Sequence, residues 1–160
     1  MVFYIKNKLI SMTGDSFVTD DRGNNCFRID GKLVSPSRKK RICDMTGKCY
    51  YRVRNKLFTF FNKSALVYDA EGKRIARVRR NAFSIKYRVQ GYKDEILLQG
   101  RIFSGQMQII RNGEPIGVIR RDFSLIRDAF ILETDLEEEV PFLITLVVAV
   151  DNIQDDGERD

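Results

Sequence analysis

The stretch "EEEVPFLITLVVAVDNIQDD", Glu137 to Asp156, decides the fold. Acidic residues bracket eleven positions, Val140 to Val150, that carry no charge and almost no polarity. Thr134 and Asp135 are suitable helix-starting residues, and Glu137, Glu138 and Glu139 favour the positive end of a helix dipole. Pro141 is tolerated only in a first turn. The pattern predicts a helix from about Val140 to about Asn152, with an acidic tail over 153–160. At about 100° per residue, Phe142, Leu143, Ile144, Leu146, Val147, Val148, Ala149 and Val150 cover the whole circumference. A helix apolar on every side is either a membrane span or the centre of a core. Length decides between them: eleven residues at about 1.5 Å each cover about 16 Å, against a hydrocarbon layer of about 30 Å. No transmembrane segment is expected, and the helix belongs inside the protein.

What surrounds it is legible in the chain before it. Tyr51 and Val53, with Leu57 on the same parity, alternate against Tyr50, Arg52, Arg54 and Lys56; Ile85, Tyr87 and Val89 alternate against Ser84, Lys86 and Arg88. Period-two patterning rich in aromatic and β-branched residues marks half-buried strands. "DDRGN", "DMTGK" and "DAEGK" each set an Asp three residues before a Gly, at Gly23, Gly47 and Gly72, and Asn112-Gly113 adds a further hairpin turn. Strands over about 3–133 and one apolar helix predict a single domain over 1–160. The expected fold is mostly β: a closed antiparallel barrel threaded by the C-terminal helix, closure removing the exposed edges.

The 160 residues include no histidine, which removes the commonest general base and metal ligand and lowers the prospect of catalysis. Neither a metal nor another cofactor is expected. The adjacent acids Asp20-Asp21 and Asp155-Asp156 make no acid/base couple, since neighbouring strand residues point to opposite faces. Residues 1–132 hold 27 of the 28 Lys and Arg but 12 of the 22 acids, so the strand-rich part is strongly basic and the rest acidic. Either one part docks on the other or the basic part meets an anion. Cys43 and Cys49 flank a turn; a disulfide and idle thiols in a reducing compartment both fit, the second being the commoner case. Lys6 and Lys8 interrupt the N-terminal apolar run, so no signal peptide is read and a cytoplasmic location is expected.

With its basic hairpins and the run "RDAFILETDLEEEVPFLITLVVAVDNI", the chain resembles the LURP-one-related (YxjI-type) family, grouped with Tubby C-terminal domains and phospholipid scramblases. The residues that carry the likeness are Asp128–Phe130, the apolar helix Phe142–Val150 and Asp151-Asn152-Ile153. The resemblance implies a twelve-stranded barrel around a buried helix. It also implies phosphoinositide binding on a barrel exterior for Tubby relatives and calcium-linked lipid movement for scramblases. No Tubby lipid-contact motif matches here residue by residue. The acids Asp128, Glu133 and Asp135 lack the alternating ligands of a calcium loop.

The basic strands are the candidate site. If "RIARVRRNAFSIKYRV" turns tightly at Asn81-Ala82, Arg79 faces Ser84, Arg77 faces Lys86 and Arg88 faces Ile75. Arg52 and Arg54 extend the field if their strand lies nearby. Arg38, Lys39, Lys40 and Arg41 follow Pro36 in an expected loop that suits a membrane surface, nucleic-acid phosphate or a localisation signal. Outward cations on a barrel also serve simply as solvated surface. Tyr51 and Tyr87 share parity with apolar neighbours and read as core, which weakens single-strand nucleic-acid binding. Asp151, a carboxylate near a helix C-terminus, either pairs with a barrel Arg or emerges into water. The expected function is a non-enzymatic module, peripheral at a membrane, that holds anionic phospholipid or phosphoinositide headgroups. The alternative is a nucleic-acid-associated or protein-interaction scaffold using the same face.

Overall fold

The computed structural model describes residues 1–6, 15–31, 36–57, 63–80, 84–101, 105–124 and 127–157. Twelve strands form one closed barrel: β1 (Val2–Lys6), β2 (Ser16–Asp20), β3 (Asn25–Gly31), β4 (Lys40–Asp44), β5 (Cys49–Asn55), β6 (Ser64–Asp69), β7 (Arg74–Arg80), β8 (Lys86–Gln90), β9 (Ile96–Gly100), β10 (Gln106–Arg111), β11 (Glu114–Ser124) and β12 (Arg127–Glu133). Each pairs antiparallel with its neighbours in sequence, and β12 closes on β1, with Val2 opposite Glu133 and Ile5 opposite Phe130. Alternation sets the inward face: Ile42, Val53, Val67, Val78, Leu98, Ile109 and Leu132 are fully buried.

The three Asp-x-x-Gly segments build the same turn. In each, the Asp carboxylate accepts from the backbone N–H groups two and four residues on: Arg22 and Asn24 for Asp20, Thr46 and Lys48 for Asp44, Glu71 and Lys73 for Asp69. The Gly takes φ of +83°, +93° and +84° at Gly23, Gly47 and Gly72. A register shift follows each turn, as expected of a type I turn with a glycine bulge.

A 3-10 turn (Glu137–Glu139) leads into α1 (Val140–Gly157), which lies within the barrel and packs most closely on β5 and β6. Every residue from Phe142 to Ile153 is buried. Pro141 sits in the first turn, where its missing N–H has no helical partner to lose. The buried Thr145 hydroxyl donates to the Pro141 carbonyl at 2.7 Å. Arg111 on β10 donates to both Glu139 oxygens at 2.5 Å and fixes the start of the helix. Tyr51 and Tyr92 pack on Phe142, with ring centroids 5.6 and 4.5 Å away.

The helix runs past Asn152, where the sequence places an acidic tail. Barrel partners take up the polar groups that read as its end. The Asn152 side chain donates to the Arg38 carbonyl at 3.0 Å, Asn55 donates to the Asn152 carbonyl at 3.1 Å, and Gln154 donates to the Tyr87 hydroxyl. Ile153, 2% exposed, is a further core residue. Residues 158–160 of the expected tail lie outside the described residues. Among those described, no helix is long and apolar enough to cross a membrane.

Cys43 and Cys49 face each other across the β4–β5 hairpin and are joined by a disulfide, so the idle-thiol reading does not hold. Leu57 and Ile85 also depart from expectation. Alternation gives them core parity, but they lie beyond the end of β5 and before the start of β8, and are 43% and 44% exposed.

Candidate anion-binding face

β5, β6, β7 and β8 are consecutive in the barrel, so Arg52, Arg54, Arg77, Arg79, Lys86 and Arg88 share one outer face. Leu66 on β6 lies between Arg54 on one side and Arg77 on the other. It points outward yet is 6% exposed, as expected where aliphatic arginine stems cover an apolar side chain. Arg54 Nε donates to the Tyr68 hydroxyl at 2.9 Å, with its guanidinium over the Tyr68 ring.

The β7–β8 register differs from the tight hairpin. Arg77 faces Gln90, Arg79 faces Arg88 and Arg80 faces Tyr87. The connection from Arg80 to Lys86 is longer than a two-residue turn, and the pairing slides while each residue keeps its face. Asn81 and Ala82 lie outside the described residues. One like-charge pair replaces another: Arg79 opposes Arg88, while Lys86 lies opposite Gln99 of β9. The Nε atoms of Arg77 and Arg79 are buried and meet no hydrogen-bond acceptor.

A second group lies alongside. A surface pocket of about 470 Å³ is lined by Asp15, Arg28, Asp30, Gly31, Lys39, Arg41 and Arg52. Asp30 holds two of its arginines, Arg28 at 2.6 Å and Arg41 at 3.4 Å. Arg41 stands directly between Asp30 and Arg52 in the strand register. Arg52 is exposed and has no ion-pair partner among the described residues. Because Arg52 and Arg54 are two residues apart on β5, the pocket and the β5–β8 arginines form one continuous face.

Arg28 and Asp30 were not among the sequence candidates. The signal was their alternation with Phe27 and Ile29, but only the β3–β4 pairing shows what they join. The run Arg38–Arg41 splits up. Lys39 and Arg41 line the pocket, whereas the Arg38 backbone, at φ +47°, accepts from Asn152. Lys40 leaves the candidate face: it is the first residue of β4, and its amine turns in to Asp151 at 3.4 Å. Asp151 thus has a barrel partner, a lysine in place of the expected arginine.

Tyr87 is 2% exposed and Tyr51 packs on the helix; burial pushes both phenols above their usual range, in keeping with core positions. Of the acids weighed for calcium, Glu133 is paired with Arg120 and Asp135 with the N-terminal amine at 3.8 Å, while the side chain of Asp128 lies outside the described residues.

No curated protein and no solved structure matches the chain. A family model does match, over residues 1–151, and the barrel closed around a C-terminal helix is the architecture that this likeness implies. The chain therefore belongs to the LURP-one-related family.

Proposed function

We propose that the protein is a membrane-peripheral binding module that holds the phosphates of anionic phospholipid or phosphoinositide headgroups on the β3–β8 face. The observation that carries this reading is the pair Arg77 and Arg79: their buried Nε donors lack acceptors, and Arg79 faces Arg88. A buried unsatisfied donor costs about 1–3 kcal/mol, and opposed like charges add a few tenths to about 1 kcal/mol. A phosphate over these guanidinium groups offsets the repulsion between Arg79 and Arg88, because its oxygens accept charge-assisted hydrogen bonds. The neighbouring pocket, at about 470 Å³, has the size of a small-ligand site and presents Arg28, Lys39, Arg41 and Arg52 to its occupant. Arginines that stay protonated at ordinary pH suit the holding of charge better than the transfer of protons, so the reading is one of binding rather than catalysis.

Nucleic-acid phosphate or an acidic protein would meet the same cations. Lipid is preferred because Tyr51 and Tyr87 pack inward and offer no base a stacking surface, while the outward Tyr68 ring is already taken up by the Arg54 guanidinium. The cytoplasmic expectation rests on the N-terminal sequence. The Cys43–Cys49 bond pulls the other way, since disulfides persist where thiols are not kept reduced.

The test is co-sedimentation at near-physiological salt with neutral, phosphatidylserine-containing and phosphoinositide-containing vesicles, after nuclease treatment. Binding to anionic vesicles alone, lost in Arg77→Glu/Arg88→Glu with an unchanged circular dichroism spectrum, supports the reading. No binding to any vesicle refutes it, and nucleic acid co-purifying with the untreated protein points to the alternative.

A further inference from the structure

The barrel's two ends differ in charge. At the end where α1 begins, acids outnumber cations: Asp20, Asp44, Asp69, Glu95, Glu114 and Glu137 stand at successive connections with further acids such as Asp21 and Asp94, against Arg22, Lys48, Lys73, Arg74, Lys93 and Arg111. At the end where α1 finishes, cations stand at or next to the strand ends, among them Lys6, Lys39, Lys56, Lys63, Lys86 and Arg101. The acids that oppose them there are fewer. Asp15 lines the pocket, Asp30 is paired with Arg28 and Arg41, Asp151 is paired with Lys40, Asp122 and Asp128 lie near the β11–β12 connection, and Asp155 and Asp156 lie in the last turn of α1.

Among the described residues, two of the five exposed large apolar side chains, Met1 and Met45, lie at the acidic end, and the other three at the basic rim. Leu57 and Ile85, 43% and 44% exposed, lie there beside Lys56 and Lys86. Phe17, 38% exposed, is the second residue of β2 and points outward near this rim. An apolar residue beside a cation is out of place in bulk water but matches a lipid interface, where the first enters the acyl boundary and the second meets the headgroup. The pocket reaches this rim too, since Asp15, Gly31 and Lys39 all lie at the strand ends there.

We infer that the protein docks end-on to an anionic membrane, with the rim where α1 finishes facing the bilayer, Leu57 and Ile85 entering it, and the acidic end turned away. This deepens the headgroup reading and rests on it. Charge complementarity selects the occupant: an anionic lipid surface attracts the cationic rim and repels the opposite one.

The chain has no tryptophan, so single-tryptophan variants report position without background. Leu57→Trp and Ile85→Trp probe the basic rim, and Met45→Trp, at a position 49% exposed in the β4–β5 turn, probes the acidic end. Each is mixed with phosphatidylcholine/phosphatidylserine vesicles, with and without brominated acyl chains. The expected result is a blue shift and quenching for Leu57→Trp and Ile85→Trp and neither for Met45→Trp. Leu57→Asp should also weaken vesicle binding by roughly tenfold or more, the loss for withdrawing one leucine from an apolar phase. Vesicle binding without a shift at either rim position overturns the end-on geometry and leaves the headgroup reading standing, as does equal quenching of Met45→Trp. Failure of every variant and of the unmodified protein to co-sediment overturns both.

Discussion

The amine of Lys40 lies 3.4 Å from the carboxylate of Asp151, and the two side chains are only 17% and 11% exposed, so one ion pair ties the start of β4 to the C-terminal half of the core helix. Removing one member leaves the other charge largely out of water. Asp151→Ala should therefore destabilise the protein by about 1–3 kcal/mol, between the values for surface and buried pairs. At about 2–4 °C per kcal/mol for a chain of this size, the melting temperature should fall measurably. An unchanged midpoint in urea would show that the pair contributes nothing.

Gly100 adopts φ +134°, and a Cβ there would collide with the Gln106 carbonyl oxygen on the facing strand. Gly100→Ala should destabilise by about 2–4 kcal/mol, through backbone strain and displacement of the β9–β10 ladder. Gly72, at φ +84°, has nothing within 4 Å of such a Cβ. Gly72→Ala should lose only about 1 kcal/mol. Equal urea midpoints for the two variants would contradict this account.

Those glycines show what was legible beforehand. Asp-x-x-Gly is a local instruction: the carboxylate and the left-handed glycine make the turn with little help from outside, so three hairpins were visible in the sequence. The helix was visible for a different reason, since eight apolar residues around its circumference allow no surface. What could not be read depends on distance. The β7–β8 register hung on how many residues the connection takes, and Arg28 and Asp30 acquired meaning only once β3 was set beside β4. Leu57 and Ile85 misled because parity carries no mark of where a strand stops. Lys40 misled because its partner lies in α1, far along the chain.

Closing a short loop, the Cys43–Cys49 disulfide should contribute about 2 kcal/mol by limiting the unfolded chain. Thiol titration of the denatured, unreduced protein should find one reactive cysteine, Cys26. Cys43→Ser/Cys49→Ser should unfold at lower urea than the oxidised protein and should match the reduced one. Three titratable thiols in protein prepared without reductant would argue against the bond.

Arg79 and Arg88 oppose each other in register, and the face keeps that repulsion. Arg88→Thr should raise stability by a few tenths to about 1 kcal/mol while weakening binding to anionic vesicles. A variant that loses stability, or gains it with binding intact, would detach the repulsion from the proposed function.

The hydrogen bond from the Thr46 hydroxyl, at 2.6 Å, is the main cause holding the Asp44 carboxyl below its usual range, as the Asn24 side chain does for Asp20. A carboxyl whose folded value is lowered gives its full stabilisation above the unfolded value, roughly 3.9, and loses it as pH falls through the folded one. Stability should therefore decline below about pH 4. Thr46→Ala should move the Asp44 titration upward by carboxyl NMR and leave that of Asp20 in place.

The order of parts along the chain sets when this molecule can become itself. β1 is closed by β12, through pairs such as Val2 with Glu133, and the helix that fills the interior follows both. During synthesis Phe3, Ile5 and the other inward side chains emerge long before Phe142–Ile153 exist to cover them. Hairpins can form early and locally, but the nascent sheet has nothing to wrap and both its edges are open. Maturation is then a late, non-local step of the kind that is slow and exposed to aggregation, and a chain cut short before α1 would present its strands without the helix that covers them.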